Sequence, residues 1–263
     1  MQILNPALDL DRFFVQLMDA RERILLLDYD GTLAPFHARP ERANPYPRVA
    51  AIIKQIVERA STRVVVVSGR RLADLRGPLA RIRHTEVWGE DGWQRRTADG
   101  AHHAYRPASG AQRRLQIADA RARRLGMSGA RVERKVASVA VHWRGMAGAA
   151  AAAVRDKLAQ SWCDLGGDQL ELLAFDGGME LRARGRNKGA AVTAVLAECS
   201  SDAAVAYMGD DTTDEEAFAA LKDRGIAVLV CGERRDSGAD LRLAPPDELI
   251  AFFEKWLAAG EAR

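Results

Sequence analysis

Four short runs constrain this 263-residue chain more than anything else in it: residues 24–27 (ILLL), 64–67 (VVVV), 204–208 (AVAYM) and 226–230 (IAVLV). None of them alternates between apolar and polar positions. A strand with one wet face must alternate, whereas a strand covered on both faces of a parallel sheet reads as a continuous apolar run. Around these runs the period changes to that of helices. Val49, Ile52, Ile53, Ile56 and Val57 follow the i, i+3, i+4 rule within 48–60, and 189–199 and 247–258 also read as helices. Strands alternating with helices predict an α/β fold with a doubly wound parallel-sheet core.

The middle of the chain has another character. Two Ala/Arg-rich helical stretches, 111–124 and 147–162, are each followed by extended segments, 131–143 and 169–184. The second of these contains Asp176-Gly177-Gly178, a turn signal between two strand-like pieces. This predicts a smaller α+β domain, 107–183, inserted into a core built from 1–106 and 184–263. The alanines of 149–153 then belong to a helix interior.

An apolar content of 48% suffices for a sizeable core at this length. The 39 Lys+Arg and 36 Asp+Glu leave a net charge of +3 and are interspersed, which suits a small anionic molecule better than a nucleic acid. Cys163, Cys199 and Cys231 are far apart and lack metal-ligand spacing, so they are expected to be reduced thiols. His37, His84, His102, His103 and His142 show no ligand spacing either. The first residues lack the charged and apolar regions of a signal peptide, and no apolar run has the length of a membrane span. A cytoplasmic location without membrane partners is expected.

Ligands of open α/β sheets bind beyond the carboxyl ends of the strands, so the strand ends are the informative positions. The first run ends in Asp28-Tyr29-Asp30-Gly31-Thr32, the second in Ser68-Gly69-Arg70, and the third in Gly209-Asp210-Asp211-Thr212-Thr213-Asp214-Glu215. Singly, these read equally well as a turn, a connector and the acidic first turn of a helix. Together they place at least four carboxylates and a hydroxyl at one edge, with Lys188 arriving from the loop before the next helix. Clustered carboxylates repel one another, so a cation is expected among them; magnesium fits hard oxygen donors and phosphate. The spacing of Asp28 and Asp30 suits a two-step hydrolysis. One carboxylate attacks phosphorus to give an acyl phosphate, and the other protonates the leaving oxygen and later takes a proton from water.

In order and spacing, Asp28-Tyr29-Asp30-Gly31-Thr32-Leu33, Ser68-Gly69-Arg70, Asn187-Lys188-Gly189 and 209–215 resemble the four motifs of the haloacid dehalogenase superfamily. Within it the chain is similar to the trehalose-6-phosphate phosphatases, from about residue 23 to 256. The resemblance implies Asp28 as nucleophile and magnesium ligand, Asp30 as general acid/base and backbone ligand, and Asp210 as magnesium ligand. It implies Ser68 and Lys188 as stabilisers of phosphate, Gly69 and Arg70 as substrate-binding, and Asp214 as a metal partner through water or its neighbours. The inserted domain would be a cap, in which Glu133, Lys135 and Glu180 hold sugar hydroxyls.

The implied reaction is magnesium-dependent hydrolysis of trehalose 6-phosphate to trehalose and phosphate, with functional coupling to a trehalose-phosphate synthase. A sucrose-phosphate, a glycosyl-phosphoglycerate and a catalytically silent partner of the synthase are the competing readings. The four intact motif residues Asp28, Asp30, Lys188 and Asp210 argue against the last. Two departures bear on the sugar: Asp91 stands where many relatives have histidine, and Ala183 follows Arg182 where proline is frequent.

Overall fold

The computed structural model describes residues 1–37, 40–75, 77, 79, 85–175 and 177–262. Its first elements are β1 (Gln2–Ile3), α1 (Leu10–Asp19), β2 (Arg23–Leu27), α2 (Pro47–Arg59), β3 (Thr62–Val67), α3 (Leu72–Leu75), β4 (Glu86–Gly89), β5 (Gln94–Arg96) and β6 (His102–Ala104). Next come α4 (Ser109–Arg124), β7 (Arg131–Arg134), β8 (Ser138–His142), α5 (Gly148–Trp162), β9 (Leu170–Phe175) and β10 (Gly178–Ala183). The chain ends with α6 (Lys188–Leu196), β11 (Ala204–Gly209), α7 (Glu215–Leu221), β12 (Ile226–Val230), β13 (Leu241–Leu243) and α8 (Asp247–Glu261). These form two compact units, Met1–His103 with Asn187–Arg263, and Ala104–Arg186, where 107–183 was expected.

In the first unit the described strands form one sheet in the order β1-β13-β12-β11-β2-β3-β4-β5-β6. From β13 to β4 all neighbours are parallel, and β1 and β5 join antiparallel at the flanks. The four apolar runs are the adjacent strands β12, β11, β2 and β3. On one face Leu25, Leu27, Val64, Val66, Met208 and Val228 pack with Phe13, Leu17, Ile53, Ile56, Phe252 and Trp256 of α1, α2 and α8. The alternate residues Leu26, Val65, Val67, Tyr207 and Leu229 are equally buried, and Tyr207 meets Phe218 of α7 edge-on with ring centroids 5.8 Å apart. Full burial of an aliphatic or aromatic side chain contributes roughly 1.5–3 kcal/mol. Strands apolar on both sides therefore belong in the centre of a covered sheet.

In the second unit, β7-β8-β10-β9 form an antiparallel sheet. α4 buries Ala111, Leu115, Ala118 and Ala122, and α5 buries Val154, Leu158 and Trp162, each set a stripe at helical spacing. Residues 149–153 are helix interior as expected. β9 and β10 pair through Phe175 and Gly178, with Gly177 at φ +75° in the turn; Asp176 lies outside the described residues, as does His84. Glu133 is in register with Ala140, and Ala140 with Glu180, so both carboxylates share one face of this sheet. The three cysteines are free. Among the described residues no helix is long and apolar enough to cross a membrane.

Candidate active site

The sheet order sets β11, β2 and β3 side by side, and this brings three of the motifs together. Asp28 leaves β2 with its N–H on the carbonyl of Met208, 2.8 Å away. The chain then curls tightly: Leu33 and Ala34 donate to the carbonyl of Tyr29, and Gly31 donates to that of Ala34. Gly31 takes φ +90°, a conformation other residues resist.

Lys188 opens α6, whose N-cap is the side chain of Asn187 accepting from Ala190 N–H at 2.8 Å. Its Nζ donates to Asp28 Oδ1 at 2.7 Å and to Asp214 Oδ1 at 2.8 Å. Gly189 lets this turn lie against α7, since a Cβ there would stand 2.5 Å from the carbonyl oxygen of Glu216. Asp214 is fully buried and occupied on both oxygens. Oδ1 also accepts from the Tyr207 hydroxyl at 2.6 Å, and Oδ2 from the N–H groups of Asp210 and Asp211 at 3.0 Å. Asp214 thus organises the loop after β11, which leaves Asp28 and Asp210 as the carboxylates better able to take a metal.

One ammonium does not balance this site. Donor oxygens of Asp28, Asp210 and Asp214 all lie within 4.8 Å of one another. Burial pushes the Asp28 carboxyl well above its usual range, with Asp214 and Asp210 adding to the rise and Lys188 opposing it. Asp210 is pushed up to about 7, by burial and then by Asp214. Asp214 and Asp28 hold the Lys188 ammonium on its proton against the effect of its own burial. Asp28 Oδ2 is buried and has no hydrogen-bond partner. An orphaned carboxylate oxygen beside further carboxylates is costly, and a divalent cation with a preference for oxygen fits the deficit.

Ser68 follows β3, is buried, and its Oγ accepts from the Arg70 N–H at 3.2 Å. Arg70 forms a two-pronged pair with Asp30 at 2.6 and 2.5 Å and lies over the Tyr29 ring, 4.9 Å from its centroid. Gly69 stands between Ser68 and Arg70, and its open side faces Asp91. The remaining expected residues form a separate cluster within the second unit. Lys135 lies one position beyond β7, where the strand was expected to continue, and its Nζ is 3.2 Å from Glu180 Oε1. Ser138 Oγ donates to that oxygen at 2.5 Å. Lys135 and Ser138 hold Glu180 below its usual range although burial opposes them. Glu133 is pulled down to about 2, chiefly by its hydrogen bond with His142 at 3.0 Å.

Four contributors escaped the sequence reading. Tyr207 had a visible signal, a hydroxyl in an otherwise aliphatic run. Arg235 had none: it comes from a distant loop and donates to the carbonyls of Asp210 at 3.1 Å and Asp211 at 2.8 Å, and to Glu215. Ser138 and His142 bear on this cluster through the carboxylates they touch, Glu180 and Glu133.

The doubly wound core that sets the Asp28 loop, Ser68, Lys188 and the Asp210 loop at one sheet edge has a fold similar to that of haloacid dehalogenase-like hydrolases of known structure. The chain belongs to the trehalose-phosphatase family, whose sequence model matches residues 26–246. It is 33% identical over 258 residues to an uncharacterized glycosyl hydrolase of Mycobacterium tuberculosis, covering 91% of this chain and 18% of that protein. It is 30% identical over 227 residues to a bifunctional trehalose-6-phosphate synthase/phosphatase of Thermoproteus tenax, covering 85% of this chain and 30% of that protein. The chain therefore spans less than a third of the length of either relative. The fold is similar to that of the C. albicans trehalose-6-phosphate phosphatase C-terminal domain, with a TM-score of 0.82 at 20% identity over 98% of this chain and 99% of the other.

Proposed function

We propose that this chain hydrolyses trehalose 6-phosphate to trehalose and phosphate through a phospho-enzyme on Asp28, with magnesium as its metal. The observation that carries the reading is Asp28 itself. One oxygen is anchored by Lys188 and the other is buried with no hydrogen-bond partner, beside Asp210. The carboxylate is thereby aimed and incompletely satisfied, which suits a group that must bond to an electrophile.

Asp28 and Asp210 would hold the magnesium ion, which when bound neutralises phosphoryl charge. A carboxylate oxygen of Asp28 attacks phosphorus, and the bond from phosphorus to the sugar oxygen breaks. Asp30 gives its proton to that oxygen, so trehalose leaves neutral. Water then attacks the phosphorus of the acyl phosphate, Asp30 takes the water's proton, and Asp28 and inorganic phosphate separate. Lys188 and Ser68 hold phosphate oxygens, with Lys188 kept cationic by Asp28 and Asp214. Arg70 holds Asp30 until substrate arrives. Sugar recognition is assigned to Glu133, Lys135 and Glu180 of the second unit; the Lys135–Glu180 pair at 3.2 Å and the place of Glu133 on the same sheet face as Glu180 support this reading. Coupling to a synthase is in keeping with the bifunctional relative, and belongs to this proposal.

Phosphate release from a panel containing trehalose 6-phosphate, sucrose 6-phosphate and a glycosyl-phosphoglycerate, with magnesium or with a chelator, tests the reading. Trehalose 6-phosphate should lead the panel, and the chelator should abolish release. Preference for another ester replaces the substrate; full release under chelation removes the metal.

A further inference from the structure

Asp210 is the first residue beyond β11, and a chain leaving a sheet loses the ladder that satisfied its peptide groups. Here side chains take over on both sides of the backbone. The N–H groups of Asp210 and Asp211 donate to Asp214 Oδ2, each at 3.0 Å. Their carbonyls accept from Arg235, that of Asp210 from Nε at 3.1 Å and that of Asp211 from Nη2 at 2.8 Å. Topology explains how a residue 25 positions away arrives there. β11 and β12 are parallel neighbours with Gly209 opposite Leu229, so the chain leaving β12 emerges beside the Asp210 loop.

Arg235 is itself held. Its Nη1 donates to Glu215 and, at 3.0 Å, to the carbonyl of Asp236, while the other carboxylate oxygen of Glu215 accepts from the Gly238 N–H at 2.8 Å. Glu215 opens α7 directly after Asp214. The stretch 235–238 is thus fastened both to the Asp210 loop and to the helix that follows it. Arg235 makes four hydrogen bonds within the protein, three of them to backbone carbonyls, which is the arrangement of a group that holds a backbone and not of one that binds a phosphate. A planar guanidinium fork spans two successive carbonyls in one fixed geometry, which a single ammonium does not.

What this backbone carries is the Asp210 carboxylate, which has an oxygen within 4.8 Å of donor oxygens of Asp28 and Asp214. Like charges at that spacing repel, so a loop free to relax would take Asp210 away from the place where an oxygen-preferring cation needs it. We infer that Arg235 is a positioning residue for the metal site: by gripping the carbonyls of Asp210 and Asp211 it keeps the Asp210 carboxylate beside Asp28. The inference rests on the proposed reading of Asp28 and Asp210 as magnesium ligands. Groups that orient a ligand without touching the metal typically contribute about 10–100-fold to metal affinity.

The test measures magnesium binding to the full chain by titration calorimetry, in the parent, Arg235→Gln and Arg235→Lys. The control is Arg234→Gln, one residue away, where the side chain is exposed. Both Arg235 variants should bind magnesium about tenfold more weakly, since glutamine removes the fork with its charge and lysine keeps the charge without the fork. Arg234→Gln should stay within about twofold of the parent. The magnesium concentration for half-maximal phosphate release should rise by the same factor in the Arg235 variants, with most of the turnover recovered at saturating magnesium. Unchanged affinity in either folded variant overturns the inference, and a lowered melting temperature under chelation with unchanged affinity marks a structural role instead. An equal loss in Arg234→Gln also overturns it, because charge in general and not the grip would then be at work. Should Arg235→Gln fail to fold, Arg235→Lys decides alone. A parent that binds no magnesium overturns the metal reading and this inference with it; a parent that binds it, with indifferent Arg235 variants, overturns this inference alone.

Discussion

Gly31 leaves the space that Asp210 fills: a Cβ on Gly31 would stand 2.1 Å from Asp210 Oδ2. The glycine is thus needed twice, for its φ of +90° and for the close approach of a carboxylate from another strand. Gly31→Ala should displace Asp210 and cost about 1–3 kcal/mol of stability. Thermal melts together with magnesium titration calorimetry check this; a variant with unchanged metal affinity would show that Asp210 does not need its present position.

Asp28→Asn should reduce turnover by at least about a thousandfold, because an amide cannot form the acyl phosphate. Lys188 keeps Asp214 as partner, so circular dichroism and melting should stay close to the parent. Asp30→Asn should be severely impaired on a sugar phosphate and less so on nitrophenyl phosphate, whose leaving group needs no proton. Equal losses on both substrates would remove Asp30 from the acid/base role.

The pushed-up carboxyl of Asp210, at about 7, predicts how metal binding depends on pH. An acid whose folded-state value is raised stabilises the metal-free protein only below its unfolded value, and that contribution is lost as pH rises towards 7. Magnesium must displace this proton. Its affinity should therefore climb up to about tenfold per pH unit below 7 and level off above it. Calorimetry in buffers of different ionisation enthalpy should detect at least about one released proton at pH 6, since the Asp28 carboxyl is raised as well as that of Asp210. No released proton at that pH would contradict the assignment of Asp210 as ligand.

Tyr207→Phe removes the hydroxyl that donates to Asp214 at 2.6 Å and leaves a buried carboxylate oxygen with one donor fewer. A loss of about 1–3 kcal/mol is expected from the hydrogen bond to a charged group. Turnover should fall moderately, since Lys188 and the N–H groups of Asp210 and Asp211 still hold Asp214. Urea unfolding and steady-state kinetics read the two effects separately.

Alanine at Glu133, Lys135 or Glu180 should lower kcat/KM for trehalose 6-phosphate by about 10–1000-fold and leave nitrophenyl phosphate near the parent rate. Near-neutral effects on both substrates would make these residues a structural ion network. Glu133 also carries a pH signature. Its folded-state value near 2 lies below the usual carboxylate range, so its contribution to stability is present above about 4.5 and lost as pH falls towards 2. The melting gap between the parent and Glu133→Gln should be wide at pH 7 and narrow towards pH 2.

The sheet core was legible because burial on both faces leaves a local mark: β2, β3, β11 and β12 are each a run that nothing wet can touch. The motif residues were legible because strand ends are where such a sheet binds ligands. Lys135 beyond the end of β7 was less so, because a strand's last residue depends on where its partner turns, here at Ser138. Arg235 was silent, since nothing in its own neighbourhood in the chain records that it meets the carbonyls of Asp210 and Asp211.

By itself, then, the sequence determined the alternation of strands and helices, the inserted segment, and which carboxylates, hydroxyl and amine stand at the strand ends. These follow from hydrophobic period and short-range turn chemistry, which act within a few residues. Only the tertiary structure decided the division of labour among those groups. It gave Asp214 four donors and so made it a scaffold, and left Asp28 Oδ2 without one. Hydrogen-bond satisfaction and burial depend on atoms brought together from β2, β3, β11 and α6, and no local stretch of chain contains them.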